Sequence, residues 1–465
     1  MSGDTLEALT DHGDALKAQG RLAEAIAVYA QAVARAPASG VAEHNLAAAQ
    51  GDVARYAEAE AGCRRAFAKG LDAPETWVVL ARALQGQHRM DEAEQAFRQA
   101  LRRRPDMVDA HRDLAQLVWM RTEDIGLATA ALDAAIAAHP ADPILWFVRG
   151  KAMEYAGDLE AAYAALLNAV ARRPQVAAEV AAADIAARLG KVDAALAHAG
   201  AAIRLDRESP AARSMLAQTQ LAAGRPDEAS KVLEPLLGAF PHDQFLLALQ
   251  VTAWRLLDDP RSAPLRDYGA LVRPWRLEAP PGWPGLAPYL ADLAEGLTGA
   301  HAYRTHPFEQ SVRHGSQQPD ILKSAHPAIR AFPQTLEPAI RGHLAALGRG
   351  ADPVRSRNTG QCRLKGVWSI RLRPMGFHAD HVHPDGWLSS AFYVDLPPAV
   401  EGGGREGWIK FGQPGVPTRP ELGPEHFVKP EPGLLVLFPS YMWHGTVPFQ
   451  GPSSRLTIAF DLVPA

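Results

Sequence analysis

Cysteine is nearly absent, with Cys63 and Cys362 the two in 465 residues. Two thiols so far apart exclude a CxxC metal knuckle and a disulfide framework, and they point to a reducing compartment. Long apolar runs are missing too. No stretch of about 18 apolar residues occurs, so no membrane span is expected. The start, Met1-Ser2-Gly3-Asp4-Thr5-Leu6-Glu7, lacks the basic and apolar segments of a secretory leader, which makes the cytoplasm the expected compartment. Neither sign of charge dominates: 48 Lys and Arg stand against 52 Asp and Glu, a net charge of -4, without the basic footprint of a nucleic-acid binder. No nucleophile-elbow serine motif appears. The glycine run Glu401-Gly-Gly-Gly-Arg-Glu-Gly407 lacks the flanking strand and helix of a phosphate cradle and reads as a flexible hairpin.

Proline is scarce only in the first half. Residues 1–250 hold 66 alanines and 10 prolines, whereas residues 251–465 hold 21 alanines and 27 prolines. Alanine favours helix and proline breaks it, so the architecture changes between about residues 250 and 280. In the alanine-rich half, small residues recur at Ala25, Ala59, Ala93, Ala128, Ala162, Ala195 and Ala229, in steps of 34, 34, 35, 34, 33 and 34 residues. Each is followed four and seven residues later by apolar or small residues, which fall on one helix face. A proline follows at the twelfth position in most copies and ends the helix. This pattern, with Trp77 and Leu80 in the third copy and turns at Gly20, Gly157, Gly190 and Gly224, resembles the tetratricopeptide repeat. Seven copies over roughly 6–241 predict a solenoid whose concave face holds a peptide or partner protein. Its His44, His111 and His198 are expected on the surface or on helix faces.

The expected domains are repeats with a capping helix over 1–258, a proline-rich connection over 259–284, and a second domain over 285–465. In the latter, Leu286–Leu297 and Pro333–Leu347 have helical periodicity. Trp368–Arg373, Leu388–Leu396, Trp408–Phe411, Leu434–Phe438 and Arg455–Leu462 read as strands. The predicted fold class is an all-α solenoid followed by an α+β domain with a double-stranded β-helix, or jelly-roll, core.

Chemistry is expected where histidines converge. In Gly376-Phe-His378-Ala-Asp380-His381-Val-His383-Pro384, an extended backbone puts His381 and His383 on one face, able to share a metal. His444, after the apolar strand Leu434–Phe438, is the candidate third ligand. Arg455 and Thr457 again share a face, and a guanidinium with a hydroxyl suits a buried carboxylate. His378 and Asp380 form a competing pair on the opposite face, and an imidazole site also suits zinc or manganese. Trp368, Arg371, Trp387 and Tyr393 are candidates for a substrate pocket.

An HxH pair, a distal histidine and Arg-x-Thr resemble the Fe(II)- and 2-oxoglutarate-dependent oxygenases. The closer resemblance is to the HxHP-type family of these enzymes. It rests on His381-Val-His383-Pro384, Leu388-Ser-Ser-Ala-Phe-Tyr393, Gly433-Leu-Leu-Val-Leu-Phe438-Pro439-Ser440 and, ahead of them, Gln310-Ser-Val-Arg313-His-Gly315-Ser-Gln317. The resemblance covers roughly 265–465. It implies Fe(II) on His381, His383 and His444, with 2-oxoglutarate as cosubstrate, its far carboxylate on Arg455 and Thr457. With O2, 2-oxoglutarate would give succinate and carbon dioxide while a C–H bond is hydroxylated. The usual ligand set of this superfamily is two histidines and a carboxylate. Here His383 stands where Asp or Glu normally sits, so the site lacks one negative charge, which the dianionic cosubstrate offsets. Joined to a peptide-holding solenoid, the chemistry predicts a hydroxylase acting on a protein or peptide. A small metabolite as substrate and an inactive scaffold are the alternatives.

Overall fold

The structure is a computed structural model that describes residues 5–465. Among these, fifteen helices run in succession from Leu6–Ala18 to Gln244–Leu256. Alanine supplies the intrinsic preference, and side chains start many of the helices. Ser39, Asp124, Asp158, Ser209 and Asp243 each accept a backbone N–H of the first turn. The recurrent small residues, from Ala25 to Ala229, are buried throughout, where they let the neighbouring helix approach.

The turn inside each repeat has one conformation. Gly20, Ala54, His88, Glu123, Gly157, Gly190 and Gly224 all have positive φ, between 60° and 91°. Glycine adopts this left-handed region freely, whereas the Cβ of Ala54, His88 and Glu123 makes it costly. The solenoid therefore imposes its turn even where the residue resists it. Of the two places expected for His111, surface or helix face, it takes a buried helix face, its Nε2 2.7 Å from the carbonyl of Pro105. This contact ties the helix start to the preceding turn, a polar role that apolar periodicity cannot reveal. His198 is half-buried, with Nδ1 2.6 Å from Glu179.

Two compact units divide the chain, 1–152 and 153–465. In the second, the last repeats share a hydrophobic core with the strands that follow. Leu233, Leu236, Leu247 and Leu249 belong to the same cluster as Leu435, Phe438, Ile458 and Phe460. Buried hydrogen bonds join the parts: Trp443 Nε1 donates to Thr252 Oγ1 at 3.0 Å and Tyr441 OH to the Leu265 carbonyl at 2.6 Å.

Nine strands follow: β1 (Arg273–Arg276), β2 (Val312–Gln318), β3 (Cys362–His378), β4 (Leu388–Asp395), β5 (Ile409–Phe411), β6 (His426–Val428), β7 (Leu434–Pro439), β8 (His444–Thr446) and β9 (Arg455–Pro464). They form a six-stranded sheet in the order β1-β7-β4-β9-β3-β2 and a three-stranded sheet, β6-β5-β8. All pairings are antiparallel. This agrees with the sheet-rich domain expected of a 2-oxoglutarate oxygenase. The sheets meet where Phe411 of β5 packs edge-on against Phe438 of β7, ring centroids 5.0 Å apart. Helix Pro327–Leu347 covers one face of the larger sheet, its Phe332 lying 5.2 Å from Phe392.

The segment 259–284, expected as a plain connection, carries structure of its own: a turn of 3-10 helix at Pro260–Leu265, a short helix at Tyr268–Leu271 and strand β1. Proline is compatible with a strand here because β1 is an edge strand, where Pro274 sits opposite Val436 without breaking the sheet.

Candidate functional site

The face of the sheet away from helix Pro327–Leu347 carries the polar residues. Register sets which side chains share it. On β3 and β9, Trp368 lies opposite Ala459 and Ile370 opposite Thr457, while β4 brings Ser389 opposite Asp461 and Tyr393 opposite Thr457. A period of two then places Arg455, Thr457 and Asp461 on one wall.

After His378 the chain leaves the ladder. His381 and His383 lie outside the strands, and two backbone anchors hold their segment. His381 and His444 exchange both backbone hydrogen bonds at 3.0 Å as an isolated bridge, and the His383 N–H donates to the Ser440 carbonyl at 3.0 Å. The three imidazoles meet, with centroids 4.2 Å apart for His381–His444 and 5.1 Å for each of the other pairs. One nitrogen from each ring lies within 4.8 Å of the others.

Each ring is held by its Nδ1. His381 Nδ1 lies 2.8 Å from the Ala379 carbonyl, His444 Nδ1 2.9 Å from the Met442 carbonyl, and His383 Nδ1 2.6 Å from Asp461 Oδ1. All three partners accept, so each Nδ1 carries the proton and each Nε2 lone pair is left for another use. His381 Nε2 and His383 Nε2 face each other at 3.2 Å, an arrangement of two acceptors that a shared cation satisfies. Burial, followed by the neighbouring histidines, pushes the His444 pKa well below its usual value. Burial and His383 bring that of His381 to about 3. Neutral imidazole is the form that ligates a metal. Asp461 is fixed in turn by Ser389 Oγ at 2.7 Å, and Ser389 meets Ser440 at 2.8 Å.

The competing pair separates. Asp380 faces Lys410, with Oδ2 2.8 Å from Nζ, and the group of converging ligand atoms does not include it. His378 stays beside His381, both within 3.2 Å of the Ser311 hydroxyl.

Arg455 is 2% exposed. Its Nη1 donates to Thr446 Oγ1 at 3.3 Å, its Nε has no partner, and it lies 5.1 Å from the centre of the Tyr393 ring, whose buried hydroxyl also lacks a partner. Thr457 donates a long bond, 3.5 Å, to the Ile370 carbonyl. A cleft of about 1560 Å³ joins the three histidines to Arg455 and Thr457, and it extends to Tyr155, Arg188 and Phe245 of the last repeats.

Of the residues expected to line a pocket, Trp368 does, 5.7 Å from His383 between ring centroids. Arg371 is three residues from Trp368 and therefore on the other face of β3, near Ser454. Trp387 is fully buried, its Nε1 donating to the Val354 carbonyl at 3.0 Å. Tyr393 lies beneath Arg455 rather than on the cleft wall. Sequence reasoning missed Asp461 and Thr446. A lone aspartate in the apolar run Ile458-Ala-Phe-Asp461-Leu-Val was the available signal for the first.

Residues 366–461 match the family described as "Putative 2OG-Fe(II) oxygenase". Tetratricopeptide repeat families match 6–39, 78–123, 120–177 and 186–250. No curated protein matches the chain. Among solved structures, a chain of the Cut9–Hcn1 complex of the APC/C is 19% identical with a TM-score of 0.36; the match covers 53% of this chain and 48%, about half, of that one. The C-terminal part of a repeat-containing protein from Cytophaga hutchinsonii is 16% identical over 56% of this chain and 96% of its own, TM-score 0.35. A tetratricopeptide repeat protein from Parabacteroides merdae is 14% identical over 54% and 99%, TM-score 0.37. No helix among the described residues is long and apolar enough to cross a membrane. Tetratricopeptide repeats within residues 6–250 are thus followed in the same chain by a domain, residues 366–461, that matches the putative 2-oxoglutarate/Fe(II) oxygenase family.

Proposed function

We propose that this protein is a 2-oxoglutarate- and Fe(II)-dependent dioxygenase that hydroxylates a side chain of a protein or peptide recruited by its repeats. Its two antiparallel sheets are read as the double-stranded β-helix of that class. The observation that carries the proposal is the arrangement of His381, His383 and His444, each tied through Nδ1 and each presenting Nε2 to a common point. Three neutral nitrogen donors with room for further ligands fit a divalent iron.

With O2, the bound metal supplies the oxidation that converts 2-oxoglutarate to succinate and carbon dioxide and places one oxygen atom in a substrate C–H bond. The chain's own residues do the rest. Arg455 binds the far carboxylate of 2-oxoglutarate through its unsatisfied Nε edge, with Thr457 and Thr446 completing the pocket. Burial makes that pairing strong. Asp461 orients His383 and places a negative charge one hydrogen bond from the ligand set, in compensation for the carboxylate that His383 replaces. Trp368 shields the His383 side of the cleft from water. The repeats, which generally mediate protein–protein contacts, bring the substrate to the cleft mouth.

Succinate release from 2-oxoglutarate with Fe(II), ascorbate and oxygen tests the chemistry. Wild type is expected to form succinate, and Arg455→Gln to raise the half-saturating 2-oxoglutarate concentration by about ten- to a hundredfold, the worth of a buried charge-assisted pair. A 16 Da gain on lysate proteins, present with wild type and absent with Arg455→Gln, identifies the substrate. No succinate under any condition contradicts the proposal.

A further inference from the structure

The cleft holds a second guanidinium without a counter-ion. Arg313, on β2, is half-buried on the cleft wall. Its Nη1 is spent on two carbonyls of its own turn, Gln310 at 2.7 Å and Val312 at 2.8 Å. Among the described residues no carboxylate forms an ion pair with it. Glu154, near enough to act on its charge, is engaged by Arg188 at 3.2 Å. Burying a cation without a partner is costly, and a site that keeps one is built for an anion.

Position separates this group from Arg455. Arg455 belongs to β9, in the depth of the sheet. Arg313 follows the loop Phe308–Ser311, which contacts the last repeats: Phe308 stacks on Tyr155, centroids 5.2 Å apart, and Tyr155 OH donates to Glu309 Oε1 at 3.0 Å. The same loop reaches the histidines, since Ser311 Oγ lies 3.2 Å from both His378 Nδ1 and His381 Nε2. Arg313 therefore stands between the repeats and the triad, on the side from which a recruited substrate arrives. Gln310 and Gln317, joined by a 3.0 Å hydrogen bond, add polar groups to the same wall.

We infer that Arg313 selects a substrate bearing a carboxylate, an Asp or Glu side chain of a peptide or the acid group of a small molecule, and holds that group beside the histidine triad. The inference rests on the oxygenase reading for what happens next, but not for binding. Two unpaired guanidiniums in one cleft call for two anions, and 2-oxoglutarate on Arg455 supplies only one of them. The far edge of Arg313, not used on backbone carbonyls, offers the fork that a carboxylate accepts.

The test is binding by the full-length chain, loaded with Mn(II) and 2-oxoglutarate under anaerobic conditions. Peptide pools with random flanks and one central position fixed as Asp, Glu, Asn or Gln are the probes, with N-acetylaspartate as competitor. Wild type is expected to enrich Asp or Glu over the amides at least about tenfold. Arg313→Gln should abolish the preference and Arg313→Lys keep part of it, with Mn(II) affinity unchanged in both as evidence of folding. Competition by N-acetylaspartate at concentrations matching the peptides assigns the carboxylate to a small acid; its failure assigns it to a peptide. Equal recovery of acids and amides by wild type, including recovery of neither, overturns the inference. So does a loss in Arg313→Gln confined to 2-oxoglutarate affinity. Acid selection that depends on Arg313 in a protein that never forms succinate would keep the carboxylate site and remove the oxygenase reading.

Discussion

His383 Nδ1 lies 2.6 Å from Asp461 Oδ1, and that carboxylate is itself held by the Ser389 hydroxyl at 2.7 Å. The chain thus keeps a carboxylate at its candidate metal centre, displaced one hydrogen bond outward. Asp461→Ala is expected to weaken metal binding by about 10- to 100-fold, as losses of such partners do. Asp461→Asn, which still accepts from Nδ1 but without charge, should fall between. Equilibrium dialysis against Mn(II) measures the order, and equal affinity in Asp461→Ala and wild type would remove Asp461 from the account.

The repeat turns make a prediction about stability. Ala54, His88 and Glu123 sit at φ 60°, in register with the glycines at 20, 157, 190 and 224. Replacing Ala54 with glycine relieves a backbone cost of roughly 1–2 kcal/mol, offset in part by glycine's greater freedom when unfolded, for a net gain of about 0.5–1 kcal/mol. Urea denaturation of Ala54→Gly checks this; a lower midpoint would contradict it.

Shared core between the last repeats and the sheets has a practical consequence. A fragment beginning at residue 265 loses Leu247 and Leu249 from the common cluster and the Thr252 partner of buried Trp443. It is expected to aggregate or to remain expanded by size-exclusion chromatography and near-ultraviolet circular dichroism. A monodisperse, folded fragment would show that the repeats are dispensable to the fold.

His343 predicts a pH dependence. Burial, with Arg273 adding to it, lowers its pKa from the ordinary 6.5 to about 4, and its Nδ1 lies 3.4 Å from Trp275 Nε1, which donates to it. Between pH 4 and 6.5 the unfolded chain binds the proton more readily, so stability rises with pH across that window and is fully present above it. Acidification from pH 7 to 5 should cost on the order of 2 kcal/mol through this group. The urea midpoint should move less between those pH values in His343→Gln than in wild type. An identical shift in both would rule the group out.

Much of this was legible in the sequence because periodicity reports it. Steps of 33 to 35 residues marked the solenoid, and the runs Leu434–Phe438 and Arg455–Leu462 marked two strands now seen at Leu434–Pro439 and Arg455–Pro464. Less visible were features set by long-range pairing. Strand β1 hid behind Pro274 because its edge position depends on β7. The HxH segment mimicked a strand, but its geometry comes from the bridge to His444, 63 residues on. Asp461, 78 residues from His383, had no local pattern tying it to that ring. Trp387 and Arg371 looked like pocket residues by type, and only register and burial assign them elsewhere.

The most direct test of the central claim is an anaerobic Fe(II) titration of the full-length chain and its variants. Wild type should bind one iron per chain, His383→Ala and His444→Ala should bind at least about a hundredfold more weakly, and Asp380→Asn should match wild type. Iron retained by His383→Ala, or lost from Asp380→Asn, would contradict the assignment of the three histidines.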